Sequence, residues 1–315
     1  MKPKTKIIFD TDIGSDCDDA GALVLLHRLC NMGECELLCV TACYDSPYVA
    51  GCIDAINRYY GHIVPVGINY GHPPVEFGKY GKALCEEFES SYPVSTHNTD
   101  KGAEDTCKLL RKTLTQADDK SVTIVVAGYM SSLAKLLQSN PDEISPLSGY
   151  ELVEKKVLRT VAMGGRFFGT WPMPIMDGET QKEGEWNIRS DIPAAQTVCS
   201  LWPGELIFSS TEIGQWCVSM NGYAQKAPVE DPVRRAYEVH SVGRLRGRES
   251  WDHTAVLYAV RPDAMYWNLH PWGHIDIDNK GITTWRPEKD GKHTYLLPRE
   301  DYDTIRQIID DIVMP

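Results

Sequence analysis

Five aspartates fall within ten residues near the start of the chain, in Asp10-Thr11-Asp12-Ile13-Gly14-Ser15-Asp16-Cys17-Asp18-Asp19. The run sits between an apolar stretch, Ile7-Ile8-Phe9, and a second apolar stretch that begins at Ala20. Carboxylates packed this closely repel one another, and a cation or protonation must offset the repulsion. Donors that are all oxygen favour a hard ion, Ca²⁺ or Mg²⁺. Helix capping by Asp16 or Asp18 accounts for one or two of the five acids and leaves the rest unexplained. An EF-hand loop counted from Asp10 needs Gly at its sixth position and Glu at its twelfth. Ser15 and Gly21 stand there, so that motif is excluded.

Holding such a cluster requires elements whose ends converge. Short apolar strands alternate with helical stretches along the chain, which predicts an α/β fold with an open, mostly parallel sheet flanked by helices. Strands are expected at Lys6–Phe9, Leu37–Ala42, Val64–Val66, Val122–Val126, Val157–Met163 and Leu206–Phe208. Helices are expected at Ala20–Leu29, Tyr48–Tyr60, Ala103–Leu114, Leu133–Leu137, Ile192–Cys199, Pro232–Leu245 and Thr254–Val260. The tail should hold two or three short strands around Ile275, Ile282 and Tyr295, closed by a helix over Asp301–Ile312. No repeat or linker interrupts the pattern, so one domain over residues 1–315 is expected. Ligands of such sheets bind beyond the carboxyl ends of the strands, which is where the acidic run lies.

The run Asp-Thr-Asp-x-Gly-x-Asp-x-Asp-Asp-Ala from Asp10 to Ala20 resembles the fingerprint of the inosine-uridine-type nucleoside hydrolases, the calcium-dependent N-ribohydrolases. Asp16-Cys17 looks like an insertion found in one branch of that family. Further segments are similar: Val125-Val126-Ala127-Gly128 with Ser132-Leu133-Ala134, Val161-Ala162-Met163-Gly164-Gly165, Glu185-Trp186-Asn187-Ile188, and Trp251-Asp252-His253-Thr254. The resemblance runs from about Ile7 into the final helix, and it carries the following expectations. Calcium would be held by Asp12, Asp19, Asp252 and the carbonyl of Ala127, with Asp12 also activating a calcium-bound water. Asp18, Glu185 and Asn187 would bind ribose hydroxyls, Met163 would line the ribose pocket, and Asp10 would support the loop.

The sequence also departs from the family pattern. Ser132 stands where Asn is usual, and Trp251 precedes the metal-site Asp252 where a His often serves the leaving base. The ribose-contacting Asn after the second strand has no clear counterpart, and Asp45 is the nearest candidate. On the base side, His240, Tyr237, Trp251 and Trp171 lie in segments that could wall the pocket, and Arg166 with Phe167-Phe168 sits where a flap could close. Taken alone, Met163 reads as core packing, Asp252 as a helix cap, and Glu185 and Asn187 as turn residues.

The activity so implied is hydrolysis of the N-glycosidic bond of ribonucleosides to free base and ribose. Two alternatives keep the same calcium site: an N-ribosyl hydrolase for a non-standard ribosyl substrate, and a non-catalytic calcium- and ribose-binding homologue. A haloacid-dehalogenase-type Mg²⁺ phosphatase also places Asp-x-Asp after its first strand, but Gly14 stands where that pattern has Thr or Val. The partner implied is a small-molecule nucleoside, and the family resemblance implies a homo-oligomer, dimer or tetramer.

A net charge of -12 argues against general affinity for nucleic acid or anionic membrane. No apolar run approaches the roughly 18 residues of a membrane span. The ten cysteines show no zinc-ribbon spacing. Cys35, Cys39 and Cys43 fall on a strand-like stretch where four residues span about 13 Å, too far for one metal, so buried reduced thiols are expected. Reduced thiols and the lack of an export signal suit the cytosol as the sequence stands, and export if a leader was removed.

Overall fold

The computed structural model describes residues 4–74, 79–167 and 184–314. In chain order the strands are β1 (Thr5–Thr11), β2 (Cys35–Ala42), β3 (Val66–Ile68), β4 (Glu104–Asp105), β5 (Val122–Val126), β6 (Val157–Met163), β7 (Glu205–Ser209), β8 (Val218–Ser219), β9 (Arg248–Glu249), β10 (Trp267–Leu269), β11 (His274–Ile277), β12 (Thr283–Arg286) and β13 (His293–Pro298). Nine of them form one sheet in the order β10-β13-β7-β6-β5-β1-β2-β3-β4. Every neighbouring pair is parallel except the edge pair β10–β13.

β1 is buried on both faces, which is why Ile7-Ile8-Phe9 reads as a continuous apolar run instead of an alternating one. Ile7 and Phe9 face one apolar layer with Leu23 and Leu26 of the helix Asp18–Asn31. Ile8 faces the other layer with Leu110 and Leu133. From β1 the chain builds outward through β2, β3 and β4, then returns to the opposite side of β1 for β5, β6 and β7. The winding therefore reverses between β1 and β5. Beyond the carboxyl ends of these two strands the reversal opens the crevice in which parallel sheets bind ligands.

The α/β layout, the strands at the centre and the closing helix, here Tyr302–Val313, agree with the expectation. Several boundaries differ for local reasons. The helix expected to reach Leu245 ends at His240, because Val242 and Gly243 take positive φ of 53° and 79° and turn the chain. The third strand is shifted to Val66–Ile68, and the helix expected from Thr254 begins at Trp251. β10, absent from the expectation, is a three-residue edge strand, too short for a periodic signal. The strand expected near Ile275 is paired with Thr283–Arg286 in a separate ribbon, while Tyr295 lies in β13 of the main sheet. All ten cysteines are free, and nine are buried, with Cys30 half-buried.

Candidate active site

The loop after β1 is fixed from several sides. Thr11 donates its hydroxyl to Asp19, closing the loop onto the start of the helix Asp18–Asn31. The amide of Gly14 donates to Tyr80 Oη at 2.7 Å, and Tyr44 Oη donates to the carbonyl of Ile13 at 2.8 Å. Gly14 has φ of +133°, and a Cβ there would meet Tyr44 Oη at 2.7 Å, so only glycine fits this turn. At the end of β5, a Cβ on Gly128 would lie 2.6 Å from the Asp12 amide, so the two strand ends approach more closely than any side chain allows.

A cavity of about 330 Å³ opens at this point. Residues singled out from the sequence line it: Asp12, Asp18, Asp19, Ala127, Met163, Arg166, Glu185, Asn187, Trp251 and Asp252. Segments separated by more than two hundred residues thus meet at one place. Glu185 takes the amides of Gly165, Asn187 and Ile188 at 3.1, 3.0 and 3.2 Å, so it also caps the short helix Trp186–Ser190. Asn187 Nδ2 donates to the Ala127 carbonyl at 2.8 Å and the Met163 carbonyl at 3.3 Å, joining the ends of β5 and β6.

The remaining candidates stand elsewhere. Asp10 lies under the cavity within the sheet, accepting the Thr41 hydroxyl at 2.5 Å, and burial pushes its carboxyl up to about 7. Asp45 accepts the Gly71 amide at 2.9 Å and pairs with His97 at 3.2 Å, outside the cavity lining. His240 sits behind Asp16, with Nδ1 3.1 Å from the Ser15 carbonyl, and does not line the cavity. Tyr237 is fully buried and lies outside the cavity lining. Phe167 stacks on Tyr295 at 4.4 Å, packed into the fold away from the position of a flap. Trp171 and Phe168 fall outside the described residues.

Charge is distributed unevenly. One carboxylate oxygen from each of Asp18, Asp19 and Asp252 lies within 4.8 Å of the others, all three residues buried. Burial and then mutual repulsion raise all three well above the usual carboxylate range: Asp16 acts on Asp18, Asp12 and Asp18 on Asp19, and Asp18 and Asp19 on Asp252. Asp12 is pushed to about 7 by burial, with the charges of Asp16 and Glu185 adding to the effect. Three buried carboxylates converging without a protein cation among them fit a metal ion, and their all-oxygen chemistry fits a hard one.

The outer wall holds residues that the sequence reading passed over. Arg248 grips Asp16 with Nε and Nη2 at 2.8 and 2.6 Å, and its guanidinium lies 4.9 Å from the Trp251 ring centre. Burial would raise Asp16, but the bonds and charge of Arg248, with His240, outweigh it and hold Asp16 low. Trp186, Thr211 and Gln215 complete this side, while Arg166, named from the sequence as part of a flap, lines the cavity next to the Gly165–Glu185 contact. The one sequence signal for Arg248 was its position three residues before Trp251.

Comparison with known proteins assigns the chain to a class, hydrolases acting on N-glycosyl compounds. The sequence pattern described as inosine-uridine preferring nucleoside hydrolase matches residues 7–299, so the chain belongs to that family. Among solved structures, the inosine-uridine preferring nucleoside hydrolase from Bacillus anthracis is similar at 21% identity, over 98% of this chain and 99% of that one, with a TM-score of 0.69. The purine-preferring ribonucleoside hydrolase from Gardnerella vaginalis is similar at 17% identity, over 98% of each chain, with a TM-score of 0.68. The type III effector protein XopQ, solved with adenosine diphosphate ribose, is similar at 14% identity, over 99% of this chain and 93% of that one, with a TM-score of 0.67. No curated protein matches the chain significantly.

Proposed function

We propose that the protein hydrolyses the N-glycosidic bond of ribonucleosides to free base and ribose, with Asp12 as general base. The observation that carries this reading is the convergence on one cavity of Asp12, three buried carboxylates and the pair Glu185–Asn187. Cleaving a ribosyl C–N bond develops positive charge on the sugar ring and requires a water at C1′. A carboxylate in the lining of this cavity can take a proton from that water, the role assigned here to Asp12. Asp18, Glu185 and Asn187 are placed to hold ribose hydroxyls, so that binding energy orients the ring. The surrounding carboxylates favour the developing ring cation. Calcium, held by Asp19, Asp252, Asp12 and the Ala127 carbonyl, with Asp18 within reach, would supply orientation and polarisation of the attacking water. Trp251, fixed by its Nε1 donating to the Thr211 carbonyl at 3.1 Å, offers a flat ring on which a base can stack.

Asp12→Asn tests the reading. It should lower ribose release by roughly 10²–10⁴-fold, with calcium binding retained in part. Full activity in Asp12→Asn refutes the assignment. A ribosyl substrate other than a standard nucleoside is the second reading, favoured by the lack of any histidine lining the cavity among the described residues.

A further inference from the structure

Arg166 is held firmly by its backbone, although its side chain bonds to no other among the described residues. The turn after β6 has four consecutive amides tied down. Gly164 donates to the Ser209 carbonyl at 3.2 Å, Gly165 to Glu185 at 3.1 Å, Arg166 to Thr283 Oγ1 at 2.9 Å and Phe167 to Glu212 at 2.9 Å. Thr283 returns its own hydroxyl to the Arg166 carbonyl at 2.8 Å. The guanidinium carried by this turn lines the cavity, yet its Nε is buried without a hydrogen-bond partner. Arg111, Arg248 and Arg261 are paired, to Asp142 at 2.7 Å, Asp16 at 2.6 Å and Glu34 at 2.7 Å; Arg28 and Arg159 also carry a buried Nε without a hydrogen-bond partner, but neither lines this cavity. Glu185 is close enough to feel the charge of Arg166, but its oxygens are taken by three backbone amides. A buried guanidinium nitrogen left without a partner is costly, and the fork geometry of arginine suits an oxyanion.

We infer that Arg166 reads a phosphate ester carried on the ribosyl part of the substrate, which makes the favoured substrate class a phosphorylated ribosyl compound. The inference rests on the N-ribosyl hydrolysis reading and deepens it. Arg166 follows directly on Gly165, whose amide bonds Glu185 at 3.1 Å, and stands three residues after Met163, on the side of the cavity assigned to the sugar, so the anion belongs on the ribose and not on the base. Arg248 cannot serve the same purpose, because Asp16 already engages it.

Equilibrium binding of ribose and of ribose 5-phosphate to the calcium-loaded full chain, by calorimetry, tests this without relying on turnover. Ribose 5-phosphate should bind tighter than ribose by roughly tenfold or more, falling below about threefold in Arg166→Gln and partly recovering in Arg166→Lys. Equal binding of the two sugars by the wild type overturns the inference and leaves the hydrolysis reading intact. An equal loss for both sugars in Arg166→Gln does the same, since it marks Arg166 as a neighbour that keeps Glu185 ionised. Inorganic phosphate binding as tightly as ribose 5-phosphate also overturns it, as anion binding without the sugar. If neither sugar binds, the hydrolysis reading falls, and this inference with it.

Discussion

Asp16 and Asp18 are two residues apart in one loop, yet their surroundings drive them in opposite directions. Asp18 is buried among Asp19 and Asp252 and rises well above the carboxylate range, while Asp16, gripped by Arg248, is held below it. Among the described residues, the inner acids have no cation bonded to them and Asp18 only feels the charge of Arg248, whereas the outer wall bonds an arginine to its acid. The inner end thus has the chemistry to hold a cation from solution, while Asp16 on the outer wall already has its counter-charge.

The sharpest way to break this contrast is to remove one inner acid. Asp252→Asn should weaken calcium binding by roughly 100-fold or more, read by titration calorimetry. The metal-free variant should nevertheless be more stable than metal-free wild type by about 1–2 kcal/mol at neutral pH. The sign follows from linkage. A carboxyl raised in the folded state costs stability as pH climbs above its unfolded value, and the amide removes that cost. Thermal melts with and without calcium read both effects, and a metal-free variant less stable than wild type would contradict the charge argument.

Changing the outer wall should have a smaller effect. Arg248→Gln leaves Asp16 unanswered beside Asp12, whose carboxyl should rise further. The reaction needs Asp12 deprotonated, so the acid limb of the pH–rate profile should move to higher pH, with kcat/KM at neutral pH falling about tenfold. An unmoved limb would mean that the two walls are electrostatically independent.

An effect on stability alone, without one on catalysis, lies at the far end of the helix that carries Asp18 and Asp19. His27 is buried, bonded to Asn57 at 2.8 Å and stacked on Tyr60 and His62; burial pushes it down to about 3. The unfolded chain takes up its proton near 6.5, so stability should fall as pH drops below that value. By pH 5 the loss is ~2 kcal/mol from this residue alone. Denaturant titrations of the calcium-loaded protein at pH 7 and 5 should show a loss smaller by that amount in His27→Gln. An unchanged loss would mean that acid sensitivity arises in the inner acids instead.

The same contrast explains how far the sequence could be read. The inner acids were legible because Asp12, Asp18 and Asp19 sit on one short stretch between two apolar elements, with Asp252 marked by the helix it begins. β1 was equally plain, since burial on both faces demands a continuous apolar run. The outer wall was not legible, because it is assembled from distant segments: Asp16 and Arg248 pair across 232 residues, and nothing local to either predicts the other. Proximity in sequence misled for His240, which lies behind Asp16, and for Asp45, which serves the Gly71 amide and His97. β10 was missed because three residues, two of them exposed, carry no period.

The central claim is that this cavity cleaves ribosyl C–N bonds and that its inner acids need a metal to do so. Release of reducing sugar, ribose from purine and pyrimidine nucleosides and ribose 5-phosphate from their 5′-monophosphates, with calcium and after chelation, tests it most directly. The account predicts release that chelation abolishes and calcium restores. Release that persists unchanged after chelation, or no release from any member of the panel with calcium bound, would contradict it.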